Sequence, residues 1–565
     1  MKVLALHLVN HDANVTYYDG DKATYLNLER VKGIKKYHYF KHDFPNLVYD
    51  LKGMNIPLEL DAIVVTIGEE IANAERDELL DWRYENDQWI REITENTFNV
   101  MFGAVPYRAK KYYRCEHHFA HYMNAEWMFG RKNKGIIIDG CGDYGVHISV
   151  FEGNKRVKMY TQMNMVSVGD LYYETSADLL GRQKYDEKYA NSFADRSGNL
   201  MGLISYGHFN ETYANYLRQY SFEDFVGQAM NKSNYWSKSN SGNMMLYGFT
   251  EPAITENKRY STDNSFKYPM SWVWTHEDGW PFIQQWHLNW MKTWQIVLSE
   301  KLEEFFSKWS KDDEHFVYSG GVAHNVVINE ALNSKFPNML IPPTIGDEGM
   351  SLGSMFAYLD FMGIEAPACP TTNWQSEVIP MMNASTISSV VDFLCAGKVI
   401  AVCQGESHIG PRALGNRSLI YLPNKKYAAH YFNERHLKDR EWWRPYGIII
   451  LEEDLSKLLH TETKSPYMLH TARPTPEGES ELSGVIHVDN TVRYQTVSDG
   501  PYAEILRKLK ACGQPPAIVN TSLNSHGAPM CHTVGDVKSF AERYNPDALV
   551  IGDEFFINDV INIGD

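Results

Sequence analysis

Residues 115–147 read Cys115-Glu-His117-His118-Phe-Ala-His121-Tyr-Met-Asn-Ala-Glu-Trp-Met-Phe-Gly130-Arg-Lys-Asn-Lys-Gly-Ile136-Ile-Ile138-Asp139-Gly-Cys-Gly142-Asp143-Tyr-Gly145-Val-His147. The spacing predicts a helix, then a β-branched strand, then a glycine turn. His117 and His121 are four apart, so on a helix they share one face. That spacing suits two imidazoles closing on one metal ion. The strand Ile136–Ile138 ends on Asp139, where a carboxylate is placed to serve as a third ligand. The plainer reading is a pair of surface histidines. His118 points to another side of the helix.

Gly140, Gly142 and Gly145 also reproduce the spacing of the dinucleotide fingerprint. The residues that follow, Val146-His-Ile-Ser-Val-Phe151, read as a strand where that fingerprint requires a helix. Strand, turn and strand make a hairpin. Its exposed backbone N–H groups could still hold phosphate.

On the N-terminal side, residues 2–8, Val15–Tyr18 and Thr24–Leu28 read as three strands. The loop after the first carries Asn10, His11, Asp12 and Ala13. Three antiparallel strands with a polar loop after the first resemble the opening of the actin-like ATPase fold. An imidazole titrates near neutral pH, so His11 is a candidate general base; an exposed turn histidine is the alternative. Residues 79–130 read as mostly helical. Within them, Tyr107-Arg-Ala-Lys-Lys-Tyr-Tyr-Arg114 sets four cations among three tyrosines, a pattern that can hold a phosphodiester or stack a base. A solvated strand edge would look the same.

On the C-terminal side comes Gly198-Asn-Leu-Met-Gly202-Leu-Ile-Ser-Tyr206-Gly207. Residues 208–280 are polar and aromatic and read as an insertion shaping an acceptor pocket. Residues 281–309 read as a long helix. A strand at His315–Tyr318 leads into Ser319-Gly320-Gly321-Val-Ala-His324-Asn325 and a helix from about Val326, a turn whose N–H groups attract phosphate. Ile345-Gly346-Asp347-Glu348-Gly349 opens another helix. Asp347 is a candidate fourth metal ligand, with a plain N-cap as the alternative.

Pro367, Pro370 and Pro380 mark a boundary across residues 362–380. Beyond it lie Gln404-Gly405-Glu406-Ser407-His-Ile-Gly410-Pro-Arg412-Ala-Leu-Gly-Asn-Arg417-Ser, then Lys438-Asp-Arg440-Glu-Trp-Trp-Arg444-Pro445, then His487-Val-Asp489-Asn-Thr-Val-Arg493, then Asn520-Thr-Ser522-Leu-Asn524. Guanidinium forks with amide and hydroxyl donors suit a small anion, provided the clusters converge in space.

The bulk numbers bound this reading. A chain of 565 residues exceeds one core, so two or more domains are expected. With 44% hydrophobic and 22% charged residues it has the composition of a folded soluble protein. A net charge of −17 argues against a generic nucleic-acid or anionic-membrane binder, though not against a local basic groove. Seven cysteines without a CxxC pair form neither a disulfide framework nor a zinc ribbon, so reduced thiols and a cytoplasmic setting are expected. No signal-peptide core opens the chain, and no apolar run approaches the roughly 18 residues of a membrane span.

Taken in order, these motifs resemble the ATP-dependent O-carbamoyltransferases of the NodU/CmcH type over nearly the whole length. The resemblance implies an α/β protein in two parts. Residues 1–365 would be an actin-like domain of the ASKHA class, similar to the threonylcarbamoyl-transfer factor of tRNA modification. Residues 380–565 would be a YrdC-like α/β domain. The second would make carbamoyl adenylate from ATP and carbamoyl phosphate, using Arg412, Lys438, Arg444, Arg493, Asn520 and Ser522. The first would transfer the carbamoyl group to an acceptor hydroxyl. Its metal ligands would be His117, His121, Asp139 and Asp347, holding one divalent ion: Fe(II), or Mg or Mn. Gly320, Gly321 and Asn325 would contact the adenylate, and His11 would be the base. The expected acceptor is a small hydroxylated metabolite or the hydroxymethyl group of 5-hydroxymethylcytosine in DNA or a nucleotide. A homodimer is the expected assembly if the chain self-associates. Departures from the family pattern fall at Gly33–Phe40, His324, Glu406-Ser407 and Tyr446-Gly447. Two alternative functions are tRNA threonylcarbamoyl transfer and a non-catalytic nucleotide sensor.

Overall fold

The computed structural model describes residues 1–558 except 10, 40–42, 67–86, 104, 181–195, 230–284, 312, 439–442 and 526. Most of the 208–280 insertion therefore lies outside the described residues. Its described beginning forms two helices, Glu211–Arg218 and Phe222–Ala229, packed beside the long helix Gln285–Trp309.

Among the described residues the strands form three sheets. The first runs β3 (Ala23–Asn27), β2 (Asn14–Tyr18), β1 (Val3–His7), β4 (Glu59–Val65), β6 (Arg108–Cys115), β5 (Ile90–Ile93). The β1–β2–β3 meander is antiparallel, and β4 and β6 add in parallel beside β1. The second sheet repeats this plan: β7 (Lys134–Ile138), β8 (Val146–Glu152) and β9 (Lys155–Thr161) form the meander. Then β10 (Phe316–Ser319) and β11 (Met339–Leu340) add in parallel beside β7. The two sheets therefore share one topology.

Between the two sheets lie the histidine helix, His117–Phe129, and the helix Met350–Phe361. Ala5 and Val64 of the first sheet, Ile137 and Val317 of the second, and Phe119, Met123, Leu352 and Met355 of the helices share one buried cluster. Both helices are apolar around most of their circumference because both are covered on two sides.

The third sheet has the order β15 (His470–Ala472), β16 (Val492–Val497), β14 (Gly447–Leu451), β17 (Ala517–Ser522), β13 (Arg417–Tyr421), β12 (Ile400–Cys403), β18 (Ala548–Ile551), β19 (Glu554–Ile557). Successive strand residues feed opposite cores: Ala401, Leu419, Ile448 and Ile450 one, Ile400, Ile420, Ile449 and Leu451 the other. A mixed sheet covered on both faces reads as a continuous apolar run, which is how Gly447–Leu451 looks.

The boundary segment is pinned to both sides. Asn373 accepts the Asn27 N–H at 2.9 Å and donates to the His408 carbonyl at 2.9 Å. Beside it, buried Arg30 donates to Ser407 Oγ and to the His408 and Gly410 carbonyls at 2.7–2.9 Å. Glu29-Arg30 is thus a tie between the first sheet and the loop that carries Arg412.

One expectation is corrected. Residues 87–130 are not mostly helical: two strands, β5 and β6, precede the histidine helix. β6 lies between β4 and β5, so the Tyr107–Arg114 run is not a sheet edge either. Alternation sets Lys111 on the face opposite Arg108, Lys110 and Arg114, and three of the four cations meet carboxylates. Lys110 pairs with Asp61 at 2.7 Å and Lys111 with Glu92 at 2.9 Å, while Arg114 is buried against Asp143 at 3.0 Å. No single basic face results.

Candidate metal centre and anion site

The histidine helix begins because Glu116 caps it, its carboxylate accepting the Phe119 N–H at 2.6 Å. Arg156, lying 4.4 Å over the Trp89 ring, pairs with the other Glu116 oxygen. Asp143, held by Arg114, accepts the His117 N–H. The first turn is therefore anchored at three points, and His117 and His121 project together from it.

Asp139 follows β7 and Asp347 opens the turn before the helix Met350–Phe361. His117 Nε2 stands 3.1 Å from Asp139 Oδ2 and 3.4 Å from Asp347 Oδ1; His121 Nε2 stands 3.4 and 3.5 Å from the same atoms. All four donor atoms lie within 4.8 Å of one another and all four side chains are buried. The donor set fits a divalent ion: ligands about 2.0–2.2 Å from one centre are spaced in this way. His121 Nε2 is buried and makes no hydrogen bond, which a bound cation would relieve.

Burial pulls both imidazoles toward the neutral form, but the carboxylates outweigh it. His117 is held well above the ordinary imidazole value, chiefly by Asp347, and His121 above it, chiefly by Asp139. Burial likewise pushes Asp139 and Asp347 upward, yet the imidazoles hold both well below the carboxylate range. The metal-free cluster therefore carries protons that a cation must displace. Metal uptake is expected to release protons near neutral pH, with apparent affinity falling as pH falls. Calorimetry in buffers of different ionisation enthalpy measures this; uptake without proton release would contradict it.

What brings the aspartate to the histidines is a close helix crossing. A Cβ at Gly353 would lie 1.8 Å from the Ala120 carbonyl oxygen. Gly353→Ala must push the two helices apart, at about 1–3 kcal/mol or more. We expect a lower thermal midpoint together with lost metal stoichiometry; unchanged metal binding would show the crossing to be dispensable.

His11 stands at the edge of this cluster. Its Nδ1 is 2.9 Å from Asp12 Oδ2 and 3.8 Å from Asp347 Oδ2. Its side chain is 35% exposed, whereas His7, His117, His118 and His121 are buried. Burial would lower its pKa, but Asp347 and the Asp12 hydrogen bond hold it above the ordinary value. Lys36, from the unusual 33–40 segment, shares the same Asp12 oxygen at 2.6 Å. His118 turns away to Ser149 Oγ at 3.0 Å.

Two supporting residues escaped sequence reasoning. Asn14 on β2 donates to the Asp347 carbonyl at 2.8 Å and accepts the Ser351 N–H at 2.9 Å, pinning the aspartate's turn. Burial pushes His7 down to about 4, so it is neutral; its Nε2 donates to the His11 carbonyl at 3.1 Å. The available signal was a polar residue at a buried strand position next to the His11 loop.

The glycine turn after β10 is arranged differently from its expected phosphate cradle. Gly321 N–H donates to Asp139 Oδ1 at 2.8 Å, orienting that ligand, and Gly320 N–H to the Ile345 carbonyl. Asn325 caps its own helix, accepting the Val327 and Ile328 N–H groups. The first donors of helix Val326–Asn333 are therefore taken up internally.

Several of the C-terminal clusters meet at the backbone level. Gly447, opening β14, is flanked by Arg493 on β16 and Asn520 on β17. Asn520 donates to the Ala413 carbonyl at 2.8 Å, bringing the residue after Arg412 to the same place; its buried Oδ1 has no hydrogen-bond partner. Lys438 Nζ reaches Asn524 Oδ1 at 2.7 Å, which also accepts from Ser522 Oγ at 2.6 Å. Arg444, half-buried, lies three residues before Gly447. Arg417, by contrast, is a scaffold residue spent on the Gln404, Gly405, Asn416 and His532 carbonyls.

Comparison with known proteins places the chain in one family. The model described as "Carbamoyltransferase N-terminus" matches residues 2–356 and "Carbamoyltransferase C-terminus" matches residues 391–558. The chain belongs to the carbamoyltransferase family and is a transferase; within the family it is of the NodU/CmcH O-carbamoyltransferase type. It is 26% identical to nodulation protein NolO of Bradyrhizobium diazoefficiens, over 77% of each chain. It is 29% identical to the 3'-hydroxymethylcephem-O-carbamoyltransferase of Streptomyces clavuligerus, over 46% of this chain and 53% of that one. A solved structure, component A of the (R)-2-hydroxyglutaryl-CoA dehydratase of Acidaminococcus fermentans, is 9% identical with a TM-score of 0.32, covering 63% of this chain and 97% of that one. That superposition is too loose to carry more. Among the described residues no helix is long and apolar enough to cross a membrane.

Proposed function

We propose that this chain is a cytoplasmic, ATP-dependent O-carbamoyltransferase whose two half-reactions occupy two domains, residues 1–365 and 380–565. In the second, of YrdC type, ATP and carbamoyl phosphate give carbamoyl adenylate, phosphate and pyrophosphate, a balance that consumes one water. Arg412, Lys438, Arg444, Arg493, Asn520 and Ser522 hold the carbamoyl phosphate. In the first, an acceptor hydroxyl attacks the carbamoyl carbon and the bond to the AMP phosphate breaks. His11, whose Nδ1 is held by Asp12, takes the hydroxyl proton at Nε2. His117, His121, Asp139 and Asp347 would hold one divalent ion, which would supply Lewis acidity to the leaving phosphate; two imidazoles with two carboxylates suit Fe(II) or Mn better than the oxygen-seeking Mg. Gly321 keeps Asp139 in place, while Gly320 and Asn325 shape the adenylate pocket wall.

The observation that carries this reading is the convergence of four buried donor atoms from three separate stretches in a carbamoyltransferase chain. The acceptor is a small hydroxylated molecule. The lysines of the 107–114 run are already paired with carboxylates, and the chain carries a net charge of −17. The test is incubation with ATP, radiolabelled carbamoyl phosphate and a panel of hydroxyl acceptors that includes hydroxymethylated DNA. Label entering a small acceptor with AMP and pyrophosphate supports the reading. Label entering only DNA, with a steep salt dependence, replaces the acceptor. No ATP-dependent label in any acceptor removes the function.

A further inference from the structure

Two of the sequence motifs have so far no part in the reaction: Gly198–Gly207 and His487-Val-Asp489. The structure brings them together around Trp443. This tryptophan belongs by position to the C-terminal part, yet it is buried in the core built by the second sheet and the long helix Gln285–Trp309. Its indole N–H donates to the Asn199 carbonyl at 3.1 Å, and its own carbonyl accepts from His487 Nε2 at 3.0 Å. The helix Arg196–Ile204 approaches so closely that a Cβ at Gly202 would sit 3.3 Å from the Trp443 carbonyl oxygen and 3.4 Å from Pro445.

His487 is itself held from both parts. Its Nδ1 lies 3.6 Å from Asp489 Oδ1, and the Tyr206 ring stands edge-on to it at 5.7 Å. Asp489 accepts from Thr491 Oγ1 at 2.6 Å on its own side and from Ser205 Oγ at 2.7 Å across the junction. Trp443 is thus fixed through its side chain and its carbonyl, one residue before Arg444. Three residues after Arg444 the chain enters β14 between Arg493 and Asn520. With both ends held, the direction in which Arg444 leaves the backbone is set.

We infer that Asn199, Gly202 and Ser205 of the N-terminal part, with His487 and Asp489, form a clasp that positions Arg444 for carbamoyl phosphate. Docking of the two parts then completes the adenylate-forming site. Ser205 and His487 are positioning residues and touch no substrate. This rests on the reading that Arg444 belongs to the carbamoyl phosphate site.

The experiment measures pyrophosphate release by the full chain, with no acceptor needed, as a function of carbamoyl phosphate at saturating ATP. Ser205→Ala and His487→Leu are expected to raise the KM for carbamoyl phosphate about tenfold, the equivalent of one hydrogen bond lost from the arrangement, while the KM for ATP stays within about twofold. His487→Gln, which keeps an N–H to offer the Trp443 carbonyl, restores most of it. Arg444→Ala is the reference for loss of the site. If Arg444→Ala stops pyrophosphate release and both clasp variants keep the parent KM, the clasp is overturned and the site assignment stands. If Arg444→Ala itself keeps the parent rate and KM, the site assignment fails and the inference falls with it. If His487→Gln is as impaired as His487→Leu, the donor to Trp443 is not what positions the arginine and the inference is overturned.

Discussion

His121→Ala is expected to abolish carbamoyl transfer while leaving pyrophosphate release from ATP and carbamoyl phosphate at the parent rate. The side chain is fully buried on the histidine helix, and its Nε2 lies 3.4 and 3.5 Å from the two carboxylates. Removing one of four donors weakens the ion by at least about 100-fold, since loss of a mere supporting contact already costs about 10–100-fold. It also leaves two buried carboxylates facing one imidazole. A leaving group without its cation costs about 4 kcal/mol, roughly a thousandfold in rate. The residues assigned to adenylate formation lie around β14, β16 and β17 and do not share this cluster. His118→Ala is the control: one residue from a ligand and equally buried, it faces Ser149 and removes no donor. Metal content, thermal midpoint and label transfer are measured on both. A His121→Ala protein that binds no metal yet transfers normally would take imidazole–metal chemistry out of the mechanism, and His117→Ala is held to the same standard.

The parts of this site legible in the sequence are those set by short-range geometry. The i,i+4 spacing puts His117 and His121 on one face whatever the tertiary contacts. Asp139 stood out because a β-branched strand ends on it, and the opening meander was readable from its alternation. What was not legible depends on close approach between distant segments. Asp347 reads as a fourth ligand from its place before a helix, but the close crossing at Gly353 and Ala120 that carries it to the histidines is announced by nothing in either helix. The repeat of the first sheet's plan in the second emerges only from strand pairing. Backbone donors were a second blind spot. A glycine turn before a helix suggested phosphate, but Asn325 satisfies Val327 and Ile328 itself and Gly321 serves Asp139. The Tyr107–Arg114 run misled for a related reason: composition showed four cations, but only the strand's alternation and its neighbours decide which of them meet a carboxylate.

Arg444→Ala is expected to stop pyrophosphate release and, with it, all transfer from carbamoyl phosphate. A guanidinium offers two parallel N–H groups to a phosphate, and its loss from a partly buried anion site costs about 2.7–4 kcal/mol, or roughly 10²–10³-fold. Arg444→Lys keeps the charge but not the fork, so it should fall between the two. Pyrophosphate appearing at the parent rate in Arg444→Ala would mean the second domain is misassigned. The same variant tests the path between the sites. His121→Ala retains an intact adenylate-forming site, and Arg444→Ala retains an intact metal centre. A mixed anhydride is labile in water, so the adenylate should pass within one molecule and the mixture of the two proteins should remain inactive. Recovery of transfer in that mixture would show that the adenylate crosses bulk solvent from one molecule to another. In that case the ties at Arg30, Asn373 and Trp443 would hold the two parts together without enclosing a route between them.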